Sequence, residues 1–160
     1  MTDDLDDGSA RLSPTLAATF LWCSASAAWT LAARRGLREA AEPAEDPQAA
    51  LVIRKGHEHE AACLAGLKER CGGFTEILSG SLKARFAATV AAMEGGAPLI
   101  YQAALTAGSW LGYADFLIRV EDNCPRWAWS YEPWDAKLAQ RDGSRQNSIG
   151  GPRVNLFSSP

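Results

Sequence analysis

The sequence has no Cys-x-x-Cys pair and no zinc-finger spacing among its four cysteines, Cys23, Cys63, Cys71 and Cys124. A structural zinc site needs ligands in closely spaced pairs, so free thiols are the expected state. No run of 18 apolar residues occurs, because Arg34, Arg35 and scattered polar residues interrupt every candidate. No basic stretch followed by an apolar core opens the chain either, and the expected location is the cytoplasm. An excess of positive charge is also missing: 16 Lys and Arg stand against 19 Asp and Glu, for a net charge of -3. The basic patch that usually accompanies phosphate binding therefore has no counterpart in the bulk charge. Four of the acids, Asp3, Asp4, Asp6 and Asp7, fall in an N-terminal tail, which leaves the remainder nearer neutrality.

What is present is the composition of one globular domain. The 160 residues suffice for one hydrophobic core, and 47% of them are hydrophobic and 22% charged. Six tryptophans are many for this length, and four of them, Trp110, Trp127, Trp129 and Trp134, lie in the last third. Packing in the core and sheet accounts for them better than stacking on nucleic-acid bases.

The chain divides into an acidic disordered tail over 1–12, a domain over 13–139 and an irregular tail over 140–160. Ser13-Pro14 can cap and start a helix, which the pattern carries to about Arg35, with Leu16, Phe20, Cys23 and Ala27 facing the core. A loop rich in proline and acid follows. Asp46-Pro47 begins a second helix that runs to about Arg70 and stops at Gly72-Gly73. Its buried stripe reads Ile53, Gly56 or His57, Glu60, Leu64 and Leu67. A short strand over 74–78 and a helix over 82–93 come next. The period then changes: 98–105, 110–120 and 127–138 read as strands, the first two joined by a turn at 106–109. Helices followed by strands predict an α/β or α+β domain built on a mixed sheet.

Alternate residues of a strand share a face, so a strand over 127–138 places Asp135 and Lys137 side by side. Asp115 falls in the middle of the preceding strand, between Ala114 and Phe116. A carboxylate there is costly to bury unless it is paired, hydrogen-bonded or bound to a metal. If the two strands are neighbours, Asp115 and Asp135 converge. A hard cation such as Mg2+ or Mn2+ then relieves their repulsion, polarises a phosphoryl oxygen and lowers the pKa of water. Lys137 beside them stabilises developing negative charge. Taken alone, Asp-x-Lys is better explained as a solvated strand end or a surface ion pair on a small α/β domain with no metal, and it is Asp115 in mid-strand that shifts the balance. The cluster Gly56-His57-Glu58-His59-Glu60 is not His-Glu-x-x-His, and two histidines two apart on a helix point in different directions, so one zinc ion does not take both.

Four segments occur in a telling order: RKGHEHE (54–60), IYQAAL (100–105), GYADFLIRV (112–120) and WSYEPWDAKLA (129–139). Together they resemble the RecB-like nucleases of the PD-(D/E)XK superfamily. The resemblance implies a restriction-endonuclease-like mixed sheet flanked by helices and Mg2+- or Mn2+-dependent hydrolysis of DNA. It implies His59, Asp115 and Asp135 as metal ligands, Lys137 as the catalytic lysine, Glu60 as the polar neighbour of His59, and Gly56 as a point of close packing.

The sequence departs from that family in two places. Members usually continue into a helix with Gln-x-x-x-Tyr, whereas Gln140 and Gln146 are followed by no such tyrosine, and Tyr113 stands where Arg is common. The expectation is a domain truncated after the Asp-x-Lys motif, with the C-terminal part of the fold missing and one sheet face open to a protein partner. The alternative function is a catalytically inactive remnant that binds nucleic acid or protein. Cys23 fits the first cysteine of the iron-sulfur members, but no trio follows Lys137, and no cluster is expected.

Overall fold

The computed structural model describes residues 11–40, 46–77, 79–122 and 124–137. The tail over 140–160, and with it the question of a missing C-terminal part, lies outside the described residues, as does most of the tail over 1–12. Leu12 is already ordered: it bridges Trp110, and its carbonyl accepts from the Leu111 N–H.

The order of elements is α1 (Pro14–Trp22), α2 (Ser24–Arg34), α3 (Pro47–Cys71), β1 (Thr75–Glu76), α4 (Leu82–Glu94), β2 (Leu99–Ala107), β3 (Trp110–Val120) and β4 (Ser130–Trp134). The helix starts follow from capping chemistry. The Ser13 hydroxyl accepts from the Leu16 N–H, the Asp46 carboxylate from Gln48 and the Ser81 hydroxyl from Ala84. Gly72, at φ 70°, closes α3 in the left-handed region that glycine occupies without strain.

The predicted first helix is two. Cys23 takes an extended backbone, ends α1 by donating to the Thr19 carbonyl, and begins α2 by accepting from the Ala27 N–H. The break resets the helical phase. Leu16 and Ala27 are buried as expected, whereas Phe20 and Cys23 are exposed. Leu12, Leu16, Phe20, Leu21, Leu31 and Trp110 line an apolar pocket of about 450 Å³ between the two helices and the start of β3.

The sheet is mixed, in the order β1-β2-β3-β4. β1 pairs parallel to β2, and α4 supplies the crossover that parallel neighbours need. β2, β3 and β4 run antiparallel. Two cores lie against it. Ile77, Met93, Ile100, Ala103, Ala114 and Leu117 form the core beneath α4, while Leu67, Leu99 and Phe116 form the core beneath α3, joined by Leu64, Tyr101 and Trp134. Neighbouring strand residues, Leu99 and Ile100 or Phe116 and Leu117, divide between the two cores, so helices flank both faces of the sheet. The face expected to lie open to a partner carries a helix.

The α3 stripe holds at Glu60, Leu64 and Leu67, but Ile53 is 59% exposed. Close packing at Gly56, implied by the family resemblance, is absent: a Cβ built there meets nothing within 4 Å. Among the described residues no helix is long and apolar enough to cross a membrane.

Candidate functional site

The site begins with an interruption of the sheet. The β2–β3 pairing passes from Tyr101↔Phe116 to Ala103↔Ala114, so Gln102 and Asp115 stand opposite each other between two paired rows. Gln102 has φ 59°, the left-handed region that L residues other than glycine rarely adopt. Ile100 and Ala103 share one core although they are three residues apart, as do Leu117 and Ala114. Strict alternation would put each pair on opposite faces. The pleat therefore breaks at Gln102 and Asp115, as it does in bulges that re-aim side chains near functional sites.

The next strand brings in the second carboxylate. β4 pairs with β3 through Phe116↔Trp134, and one further step of that register sets Asp135 opposite Asp115. The predicted strand over 127–138 is shorter, ending at Trp134. The ladder stops because the Ala136 N–H donates to Asp115 Oδ2 at 2.9 Å. Asp135 and Lys137 thus follow the strand rather than lying in it. They are still together: Lys137 Nζ lies 2.6 Å from Asp135 Oδ2. Gln102, Asp115 and Asp135 form one row across three chain segments.

The electrostatics follow from this crowding. Burial, and then a hydrogen bond with Asp135, push the Asp115 carboxyl up to about 6, helped by the negative charges of Asp135 and Glu60. Asp135 goes the other way. Burial acts to raise it, but hydrogen bonds from Asp115 and Lys137 together hold it below the usual carboxylate range. The same bond to Asp135 raises the Lys137 ammonium, which stays protonated at neutral pH. Two carboxyl groups held this close share a proton, as like charges at short range do.

His59 and Glu60 are separated by the turn of the helix. His59 Nε2 lies 3.6 Å from Cys63 Sγ, one turn further along α3. Glu60 instead accepts a hydrogen bond from Gln102 Nε2 across to β2, and its charge acts on Asp115. Burial, and then a hydrogen bond with Glu60, raise the Tyr101 hydroxyl. Of the expected set, the structure brings Asp115, Asp135 and Lys137 together and engages His59 with Cys63. Gln102 and Tyr101 are additions: nothing in the segment IYQAAL signals a left-handed glutamine.

No family model matches this chain, and neither a curated protein nor a solved structure matches it.

The donor set decides which ion suits the place. Among the described residues no three His, Cys, Asp or Glu side chains already stand grouped around a metal position. Asp115 and Asp135 offer two hard oxygen donors. Two carboxylates are what Mg2+ takes when it keeps several waters and draws its other ligands from a phosphate. The residues present fit such an ion, and they do not fit zinc, which prefers nitrogen and sulfur.

Proposed function

We propose that the chain is a metal-dependent deoxyribonuclease of the RecB-like kind, hydrolysing DNA phosphodiester bonds with Mg2+ or Mn2+. The observation that carries this reading is the meeting of Asp115, from the middle of β3, with Asp135 and Lys137, from the segment that leaves β4. The mixed sheet with helices on both faces is compatible with a restriction-endonuclease-like core, which belongs to the same proposal. When bound, the ion supplies Lewis-acid stabilisation of the phosphoryl oxygens and acidifies the attacking water.

The chain supplies the rest. Asp115 and Asp135 would hold the ion, giving up the proton that they share. Lys137 orients the water and stabilises the charge that develops as the phosphorus–oxygen bond breaks. The Lys137 side chain is 79% exposed, so its ammonium is open to solvent.

Incubation of the purified chain with linear duplex and single-stranded DNA in Mn2+ tests the reading. Cleavage is expected, and loss of cleavage in Asp135→Ala. Cleavage that survives in Asp135→Ala contradicts the mechanism. A second reading is favoured by the apolar surface of α1 and α2, where Phe20, Leu21, Trp22 and Trp29 are all exposed. Surface of this kind marks association sites, and it suits a catalytically inactive chain that binds a protein partner. That reading expects no Mn2+-dependent cleavage in the parent chain.

A further inference from the structure

The left-handed backbone of Gln102 calls for a reason. Strained residues of this kind persist only where their surroundings hold them in place, and they gather at functional sites. Here the surroundings come from both faces of the sheet. From α4, Arg85 Nη2 donates to the Gln102 carbonyl at 3.1 Å, and the same guanidinium stacks on the Tyr113 ring at 4.4 Å. From α3, the Glu60 carboxylate accepts from the Gln102 amide. Opposite Gln102 in the β2–β3 register stands Asp115.

The reach of that amide depends on the backbone. In a regular strand the residue between Tyr101 and Ala103 projects to the side away from Tyr101. Tyr101 belongs to the core beneath α3, so a regular Gln102 would project toward α4. The left-handed conformation redirects it to Glu60 on α3.

We infer that Gln102 is a positioning residue: its left-handed backbone brings its amide to Glu60 and holds that carboxylate on the Asp115 side of the site, so that Glu60, and not His59, is the α3 group that serves it. This rests on the nuclease reading and adds two residues that the Asp-x-Lys motif does not contain. Glu60 would act on the ion through one of its waters, since no third carboxylate stands grouped with Asp115 and Asp135 among the described residues. Gln102 acts only through Glu60. Removing an outer hydrogen-bond partner of a metal site typically weakens metal affinity on the order of tenfold.

Glycine adopts the Gln102 backbone without strain but has no amide. Gln102→Gly therefore separates folding from positioning. Mn2+ alone is titrated calorimetrically into the full chain and into Gln102→Gly, Glu60→Gln, the double variant and His59→Ala, with circular dichroism and thermal melts on each. Gln102→Gly is expected to keep its spectrum and melting temperature while its Mn2+ affinity falls on the order of tenfold. Glu60→Gln is expected to fall at least as far. The double variant is expected to match Glu60→Gln alone, because residues acting through one another are not additive. His59→Ala is expected to bind Mn2+ as the parent does.

A purely structural role for Gln102 gives an unchanged affinity in Gln102→Gly, and that result overturns the inference. So does a double variant in which the two losses add, or a loss in His59→Ala as large as that in Glu60→Gln. If Gln102→Gly loses its fold, Gln102→Leu, which keeps the volume and removes the amide, gives the same comparison. A parent chain that binds no Mn2+ overturns this inference and the nuclease reading together. A parent that binds Mn2+ with all four variants unchanged overturns this inference alone.

Discussion

The backbone N–H of Ala136 donates to Oδ2 of Asp115 at 2.9 Å, tying the segment that leaves β4 to the middle of β3. This one bond ends the β-ladder, fixes Asp135 opposite Asp115 and leaves Lys137 beside them at the open edge. A local exchange of a main-chain partner for a side-chain partner builds the site.

The first consequence concerns pH. The folded chain holds the Asp115 proton up to about pH 6, whereas an unfolded chain releases it near the ordinary aspartate value of about 4. The folded state therefore binds more protons between those values, and stability falls as pH rises through that window. Asp135, held low, has the opposite slope at more acidic pH. Asp115→Asn imitates the protonated carboxyl: its oxygen accepts from Ala136 and its amide donates to Asp135. The variant is expected to gain about 1 kcal/mol at pH 8, after allowance for solvent screening, and almost nothing at pH 4. Urea unfolding at the two pH values measures the difference.

Metal binding carries the same signature. An ion that takes both carboxylates displaces the shared proton, so Mn2+ affinity is expected to fall about tenfold per pH unit below pH 6 and to level off above it. Calorimetry in buffers of different ionisation enthalpy counts the protons released. Affinity that is flat between pH 5 and pH 7 contradicts an ion on Asp115.

Lys137→Met separates catalysis from stability. The Asp135–Lys137 pair is largely solvent-exposed, and pairs of that kind contribute at most about 1 kcal/mol. The variant is expected to unfold within about 0.5 kcal/mol of the parent and to cleave DNA about 100-fold more slowly or worse. Parallel urea curves and initial rates give the two numbers.

How much of this was legible in the sequence differs from residue to residue. Asp115 was, because a carboxylate inside an apolar run must have a partner, and the partner it has is Asp135. The caps at Ser13 and Asp46 and the stop at Gly72 follow local chemistry, and so do three of the strands. Cys23 gave no warning, since neither glycine nor proline marks the break between α1 and α2. The rotation of α3 was only half legible. Glu60, Leu64 and Leu67 lie on the packed face, but one residue on a helix is about 100° of turn, and that separates Glu60 from His59. Gln102 was the least legible: its left-handed backbone is imposed by Arg85, Glu60 and the β3 neighbour, all distant in sequence.

Gly56 offers a check on the fold that does not involve the metal. It lies within α3, and a Cβ added there meets open space. Gly56→Ala is therefore expected to stabilise the chain by about 0.5 to 1 kcal/mol through helix propensity alone. Destabilisation in a thermal melt would restore the close packing that the family resemblance implied.

In the interior, Thr89 is fully buried. Its hydroxyl donates to the Arg85 carbonyl and accepts from the Ala104 N–H. Thr89→Val preserves the shape and leaves that strand amide without its partner, at an expected loss of about 2 kcal/mol by urea denaturation.

The central claim is that two carboxylates on adjoining segments hold one divalent ion. Anomalous diffraction from a crystal of the full chain soaked in Mn2+ tests it most directly. The account expects a peak about 2.1 Å from an oxygen of Asp115 and from an oxygen of Asp135, with Lys137 alongside. A soaked crystal with no peak between those two side chains, or with the ion elsewhere, contradicts it.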